Sequence, residues 1–121
     1  MFDKINENFI RCSFFELCSR YLSSYYTFAI EQNNSAGRSD FEMTGIPGTD
    51  YYKDDRLAEF KYFKAKEAER MLALSDPRPE DVAQVRAYAK DTKQKFPVYN
   101  VRSYIVYICA NKGWKCWEVT E

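Results

Sequence analysis

Apolar residues recur at three- and four-residue steps near the start of the chain. Ile10, Phe14, Leu17, Cys18, Tyr21, Leu22 and Tyr25 form a stripe that predicts a helix from about Ile5 to Tyr25 facing a core. The pattern then changes. Tyr26 to Gln32 is aromatic and β-branched enough for a strand, the turn-formers of Asn33-Asn34-Ser35-Ala36-Gly37 follow, and Arg38 to Thr44 makes a second strand, so the two read as a hairpin. Gly45 to Asp50 is a loop, Tyr51 and Tyr52 lie in an irregular charged connection, and Arg56 to Phe63 is a third strand expected at the centre of a sheet. A helical stretch from Ala65 to Leu74 is interrupted by Ser75-Asp76-Pro77-Arg78-Pro79, where Asp76 is expected to cap a second piece running from Pro79 to Asp91. Val101 to Ala110 is strand-like, Asn111-Lys112-Gly113 is a turn, and Trp114 to Thr120 alternates as a last strand. The order is helix, three strands, helix, two strands.

Period-two geometry puts Glu59 and Lys61 on one face of the third strand and Phe60 and Tyr62 on the other. If the strand carrying Asp40 pairs with this one, two carboxylates and an ammonium group converge, as metal-assisted hydrolysis of a phosphodiester requires. The bland alternative is a salt-bridged pair on a solvated strand.

With 121 residues, 45% hydrophobic and 17% aromatic, the chain can bury one core and is expected to form a single domain over residues 1–121. Eighteen basic and eighteen acidic residues cancel, so any nucleic-acid face must come from locally segregated charge. Cys12, Cys18, Cys109 and Cys116 show no C-x-x-C spacing, which fits a reduced, cytoplasmic setting. Neither a signal peptide nor an apolar membrane span is expected. The absence of histidine removes Ser-His-Asp and Cys-His machinery and histidine-containing zinc sites, leaving carboxylates and lysine for any catalysis. There is no phosphate-cradling G-x-x-x-x-G-K-[ST] loop, so ATP binding within the chain is not supported.

Four elements stand in order along the chain: Asn6-Glu7 at the first helix, Gly37-Arg38-Ser39-Asp40 with Glu31 six residues earlier, Glu59-Phe60-Lys61, and Gln84-Val85-Arg86-Ala87-Tyr88. In these the chain resembles the PD-(D/E)XK nuclease superfamily, in particular the branch found as the C-terminal domain of AAA-ATPase-like proteins. The last element matches the Q-x-x-x-Y motif of the RecB-like part of that superfamily. Ser39 stands where the name would have proline, and the Gly-Arg-x-Asp form is normal in the branch it resembles. The resemblance implies an α/β, restriction-endonuclease-like core with a mixed central sheet flanked by helices, and a Mg²⁺- or Mn²⁺-dependent nuclease acting on DNA. An AAA-ATPase-like domain in cis or in trans is an implied partner.

It also implies roles. Asp40 and Glu59, with the Phe60 carbonyl, would hold the cation through the oxygen donors that hard divalent ions prefer, and Lys61 would orient or help deprotonate the attacking water. Glu7 would complete the metal shell or, alternatively, favours the helix N-terminus through the macrodipole. Gln84 and Tyr88 share a helix face and would reach the site or a nucleic-acid backbone; otherwise they are a polar face with one packed aromatic. Arg38 is a phosphate contact or a partner for Asp40, while Glu31 is an ordinary strand-end acid or a functional one and is not assigned as a ligand. Lys64, Lys66, Arg70, Lys90, Lys93 and Lys95 suit a phosphate track, although solvated helix faces explain most such residues. Tyr104, Tyr107, Trp114 and Trp117 read as sheet packing rather than base-stacking platforms. A non-catalytic module of the same fold, docking a partner or binding nucleic acid without cleavage, is the second functional class.

Overall fold

The computed structural model describes residues 7–34 and 37–120, with side chains described at positions 13–29 and 41–120. Its elements are α1 (Glu7–Leu22), β1 (Tyr26–Asn34), β2 (Gly37–Gly45), β3 (Asp54–Phe63), α2 (Ala65–Leu72), α3 (Pro79–Lys95), β4 (Asn100–Cys109) and β5 (Gly113–Val119). The strands form one sheet in chain order, with β3 at its centre as its pattern predicts. β1–β2, β2–β3 and β4–β5 are antiparallel, while β3 and β4 run parallel, so the sheet is mixed. A parallel neighbour cannot be reached through a tight turn, and α2 with α3 supplies the crossover.

Alternation along β3 builds two different layers. Ala58 and Phe60 point towards α1, where Cys18, Phe41 and Phe60 are buried and Phe15, Leu22 and Phe28 pack around them. Phe14 meets the Phe41 ring edge-on at 4.9 Å and lies 5.4 Å from Phe60. Leu57, Glu59, Lys61 and Phe63 point the other way, beneath α2 and α3. On that side Phe63, Ala68, Met71, Val85, Ile105, Tyr107 and Cys109 make the larger core, with Leu57, Tyr88 and Ala89 beside it.

Two expectations need correction. The helix stripe is wider than the sheet it covers: Cys18 is buried, but Leu17 is 52% and Tyr21 69% exposed, so only part of the stripe faces the core. Asp76 does not cap the second helical piece; α3 has Arg78 at its N-cap and Pro79 just inside, where its missing N–H costs nothing. Instead the first turn is tied down from the sheet. The Arg78 N–H donates to the Tyr107 hydroxyl at 2.9 Å, and that hydroxyl donates to the buried Asp81 carboxylate.

Gly45 closes β2 at a point no other residue fits, since a Cβ there would lie 1.6 Å from the Tyr51 carbonyl oxygen. The loop after it is fastened to the turn between α1 and β1 by the Ile46 N–H donating to the Tyr25 carbonyl at 2.8 Å. No helix among the described residues is long and apolar enough to cross a membrane.

Candidate functional site

The candidate site lies on the α2/α3 face of β3. Glu59 is only 3% exposed, because the central strand is covered on both faces at that point. Burying a carboxylate is costly unless a partner compensates, and the Lys61 Nζ lies 3.3 Å from Glu59 Oε1. The Lys61 side chain is 25% exposed against 4% for Glu59, so the ammonium group links a buried acid to solvent. This contact is the strand-face pairing expected of Glu59 and Lys61. Burial separates it from the solvated ion pair offered as the bland alternative.

α3 brings the second pair to the same face. Tyr88 is buried against Leu57, two residues before Glu59, and its hydroxyl accepts a 2.6 Å hydrogen bond from Gln84 Nε2. Gln84 is itself exposed, so its amide can be reached from solvent while Tyr88 fixes its direction.

Asp40 sits in β2 one residue before Phe41, whose Cα partner is Ala58, the neighbour of Glu59. The backbone thus brings the two motif segments onto adjacent strands. The side chains of Asp40, Arg38, Glu31 and Glu7 lie outside those described. Arg38 is in β2 opposite Asn33, and Glu7 opens α1. That helix packs on the face opposite Glu59. Its first residue lies about two turns, roughly 10 Å, before Phe14, towards the end of the sheet where Lys61 lies. Lys64 is exposed at the N-cap of α2, just past β3, and Lys66 is exposed in the first turn of that helix. Of the remaining expected track, Arg70 pairs with Glu67 at 3.5 Å and Lys95 with Asp91 at 3.1 Å.

Two polar clusters escaped the sequence reading. Asp55 is 2% exposed on the site face, and its Oδ1 has no hydrogen-bond partner among the described residues. Burial, then a shared hydrogen bond with Glu42 and that group's charge, pushes the Asp55 carboxyl up to about 8. A signal was present: Asp55, Leu57 and Glu59 share one period-two face, so a buried Leu57 implies a buried Asp55. The second cluster is Asp81, gripped by Tyr107 and by Arg78 at 2.9 Å and 3.3 Å. Burial and then Asp81 raise the Tyr107 hydroxyl, while the Arg78 guanidinium is held protonated chiefly by its hydrogen bond to Asp81. The Arg78-x-x-Asp81 spacing at a helix start could have revealed it.

Among the described residues no three acid or cysteine side chains gather as a metal cluster. Glu59 supplies one buried oxygen donor, a donor type suited to a hard divalent cation, with Asp40 on the adjoining strand for a second. A buried carboxylate with an ammonium group at its solvent side can bind a cation on one edge and steady a water or a phosphate oxygen on the other.

A family model described as the PD-(D/E)XK nuclease superfamily matches residues 5–118. No curated protein and no solved structure matches the chain.

Proposed function

The chain belongs to the PD-(D/E)XK nuclease superfamily, with the restriction-endonuclease-like arrangement of its mixed sheet and helices, and from that premise we propose that it hydrolyses phosphodiester bonds of DNA. The observation that carries the proposal is the buried Glu59 held 3.3 Å from the partly exposed Lys61, on the face that α3 furnishes with Gln84 and Tyr88.

Asp40 and Glu59 would hold a Mg²⁺ or Mn²⁺ ion, with Glu7, which opens the helix on the opposite face, as the third acid the resemblance implies. Such an ion, when bound, withdraws charge from the scissile phosphate and acidifies water. The protein's own groups do the rest. Glu59 is fixed by burial and by Lys61, so its oxygens need no reorganisation during reaction. Lys61 orients the attacking water and offsets negative charge growing on the phosphate as the phosphorus–oxygen bond to the leaving group breaks. Gln84, held by Tyr88, donates to the nucleic-acid backbone, and Arg38 and Lys64 extend the contact to neighbouring phosphates.

With eighteen charges of each sign, the chain exerts little long-range pull on DNA. An AAA-ATPase-like domain, in cis or in trans, would deliver the substrate. The free thiols Cys18, Cys109 and Cys116 suit a reducing, cytoplasmic setting.

The test is Lys61→Ala. Cleavage of labelled DNA in Mg²⁺ or Mn²⁺ should disappear while a cooperative circular-dichroism melt persists, its midpoint lowered because Glu59 loses its partner, and calorimetric metal affinity is largely retained. Undiminished cleavage would reject the mechanism, and salt-sensitive DNA binding without products in the unaltered chain would instead make it a binding module.

A further inference from the structure

The α1 side of the sheet is only half covered. α1 lies over β1, β2 and β3, and among the described residues no element covers the same face of β4 and β5. Between the helix and that open face runs an apolar groove of about 510 Å³ lined by Phe14, Phe60, Val106, Ile108, Trp114 and Cys116. Beside it the helix presents more apolar surface. Phe15 leans towards Phe28 in β1 and Phe14 towards Phe41 and Phe60, so the positions three and seven beyond Phe14 continue towards the open strands. These are Leu17, 52% exposed, and Tyr21, 69% exposed. Across the groove, Trp114 projects from the edge strand β5 with 66% of its surface in solvent.

We propose that this face pairs with the same face of a second copy of the chain. The molecule carries both halves of a self-complementary contact: a projecting indole and, next to it, an apolar groove large enough to receive one. Reciprocal insertion about a two-fold axis satisfies both copies at once.

The area agrees. With aromatic side chains carrying roughly 150–250 Å² each, Phe14 at 39% exposure together with Leu17, Tyr21 and Trp114 leaves about 450 Å² of apolar side chain uncovered. With the groove floor, two such patches together bury on the order of 1,000 Å², the threshold of a specific but weak interface. Among the described residues, the one charged side chain lining the groove, Arg56, is paired with Asp54 at 3.0 Å, so charge does not oppose the pairing. In such a dimer the Glu59–Lys61 faces point outwards on opposite sides, so the pairing neither builds nor blocks the proposed nuclease site.

Sedimentation of the full chain from about 1 to about 100 µM should show a monomer–dimer equilibrium. Trp114→Ser and Leu17→Lys, both at positions more than half exposed, should leave the melting curve at about 1 µM unchanged and yield monomer at every concentration. Alkylation of Cys116 should be about tenfold slower in concentrated unaltered protein than in the Trp114→Ser variant. Monomer throughout in the unaltered chain would overturn the proposal and leave the face to a different partner. So would a dimer that both variants preserve, or Cys116 labelling indifferent to concentration. Cleavage per chain should be the same in both variants, so failure of the dimer and failure of the nuclease reading are separable.

Discussion

Glu59 and Phe60 are neighbours in the chain, equally buried at 3% exposure, and face opposite layers of the sheet. On the α2/α3 side, Glu59 belongs to a set of inward-facing polar groups: Lys61, the Asp55–Glu42 pair, and Asp81 with Tyr107 and Arg78. On the α1 side, Phe60 belongs to a layer of rings, Phe14, Phe41 and Phe28, with hardly a charge among them. The polar face is roofed by two helices and the apolar face by one. A buried charge survives only where surrounding elements fix its partners, whereas an incompletely covered apolar layer costs less and can be completed by association.

Adjacent substitutions should separate the faces most sharply. Glu59→Gln is expected to lower DNA cleavage by roughly 10³-fold or more while leaving the melting temperature unchanged or higher, because it removes a buried charge but keeps the shape. Steady-state cleavage beside a thermal melt checks it; a large loss of stability would make Glu59 a structural residue.

Phe60→Ala should do the reverse, costing about 3–5 kcal/mol in chemical denaturation while the folded fraction keeps its activity. Tyr107→Phe takes a hydroxyl from Asp81 and an acceptor from the Arg78 N–H, and should cost about 1.5–3 kcal/mol in the same assay. A smaller effect would mean that water replaces the hydroxyl.

The remaining effect is pH-dependent. An unfolded aspartate loses its proton near pH 4, but Asp55 in the folded chain keeps it up to about 8. Unfolding between those values therefore releases a proton, and the contribution of Asp55 to stability falls as pH rises through that window. Asp55→Asn should match the unaltered chain at pH 4 and become progressively more stable than it as pH rises towards 8–9, seen as a widening gap between the two melting temperatures. A difference independent of pH would mean that Asp55 is ionised in the fold.

The apolar face was the easier to read in outline and the harder in detail. Period-two and period-3.6 patterns located every strand and helix to within a few residues, and Phe60 behind Glu59 followed from alternation alone. The reach of α1 did not, because Leu17 and Tyr21 keep the helical period whether they meet this chain's sheet or something else. On the polar face, the Glu59–Lys61 contact and the Gln84–Tyr88 bond were legible, since strand and helix spacing dictate both. The Asp81 tie to Tyr107 was not, because it joins residues 26 apart across a crossover whose docking no local pattern specifies. The cap of α3 was misassigned for a related reason, although its start at Pro79 was not: Asp76 has the right chemistry for a cap, but tethering to the sheet, rather than capping, holds the helix there.

The parallel pairing of β3 with β4 has a kinetic corollary. β1, β2 and β3 can zip together through short connections as they are synthesised, whereas β4 cannot dock until residues 64–99 have been looped over the sheet. α3, with Gln84 and Tyr88, rides within that loop. The strand segment bearing Glu59 and Lys61 thus exists early, but its roof arrives late, and a nascent chain halted before β4 emerges would hold that pair without the helices that bury it.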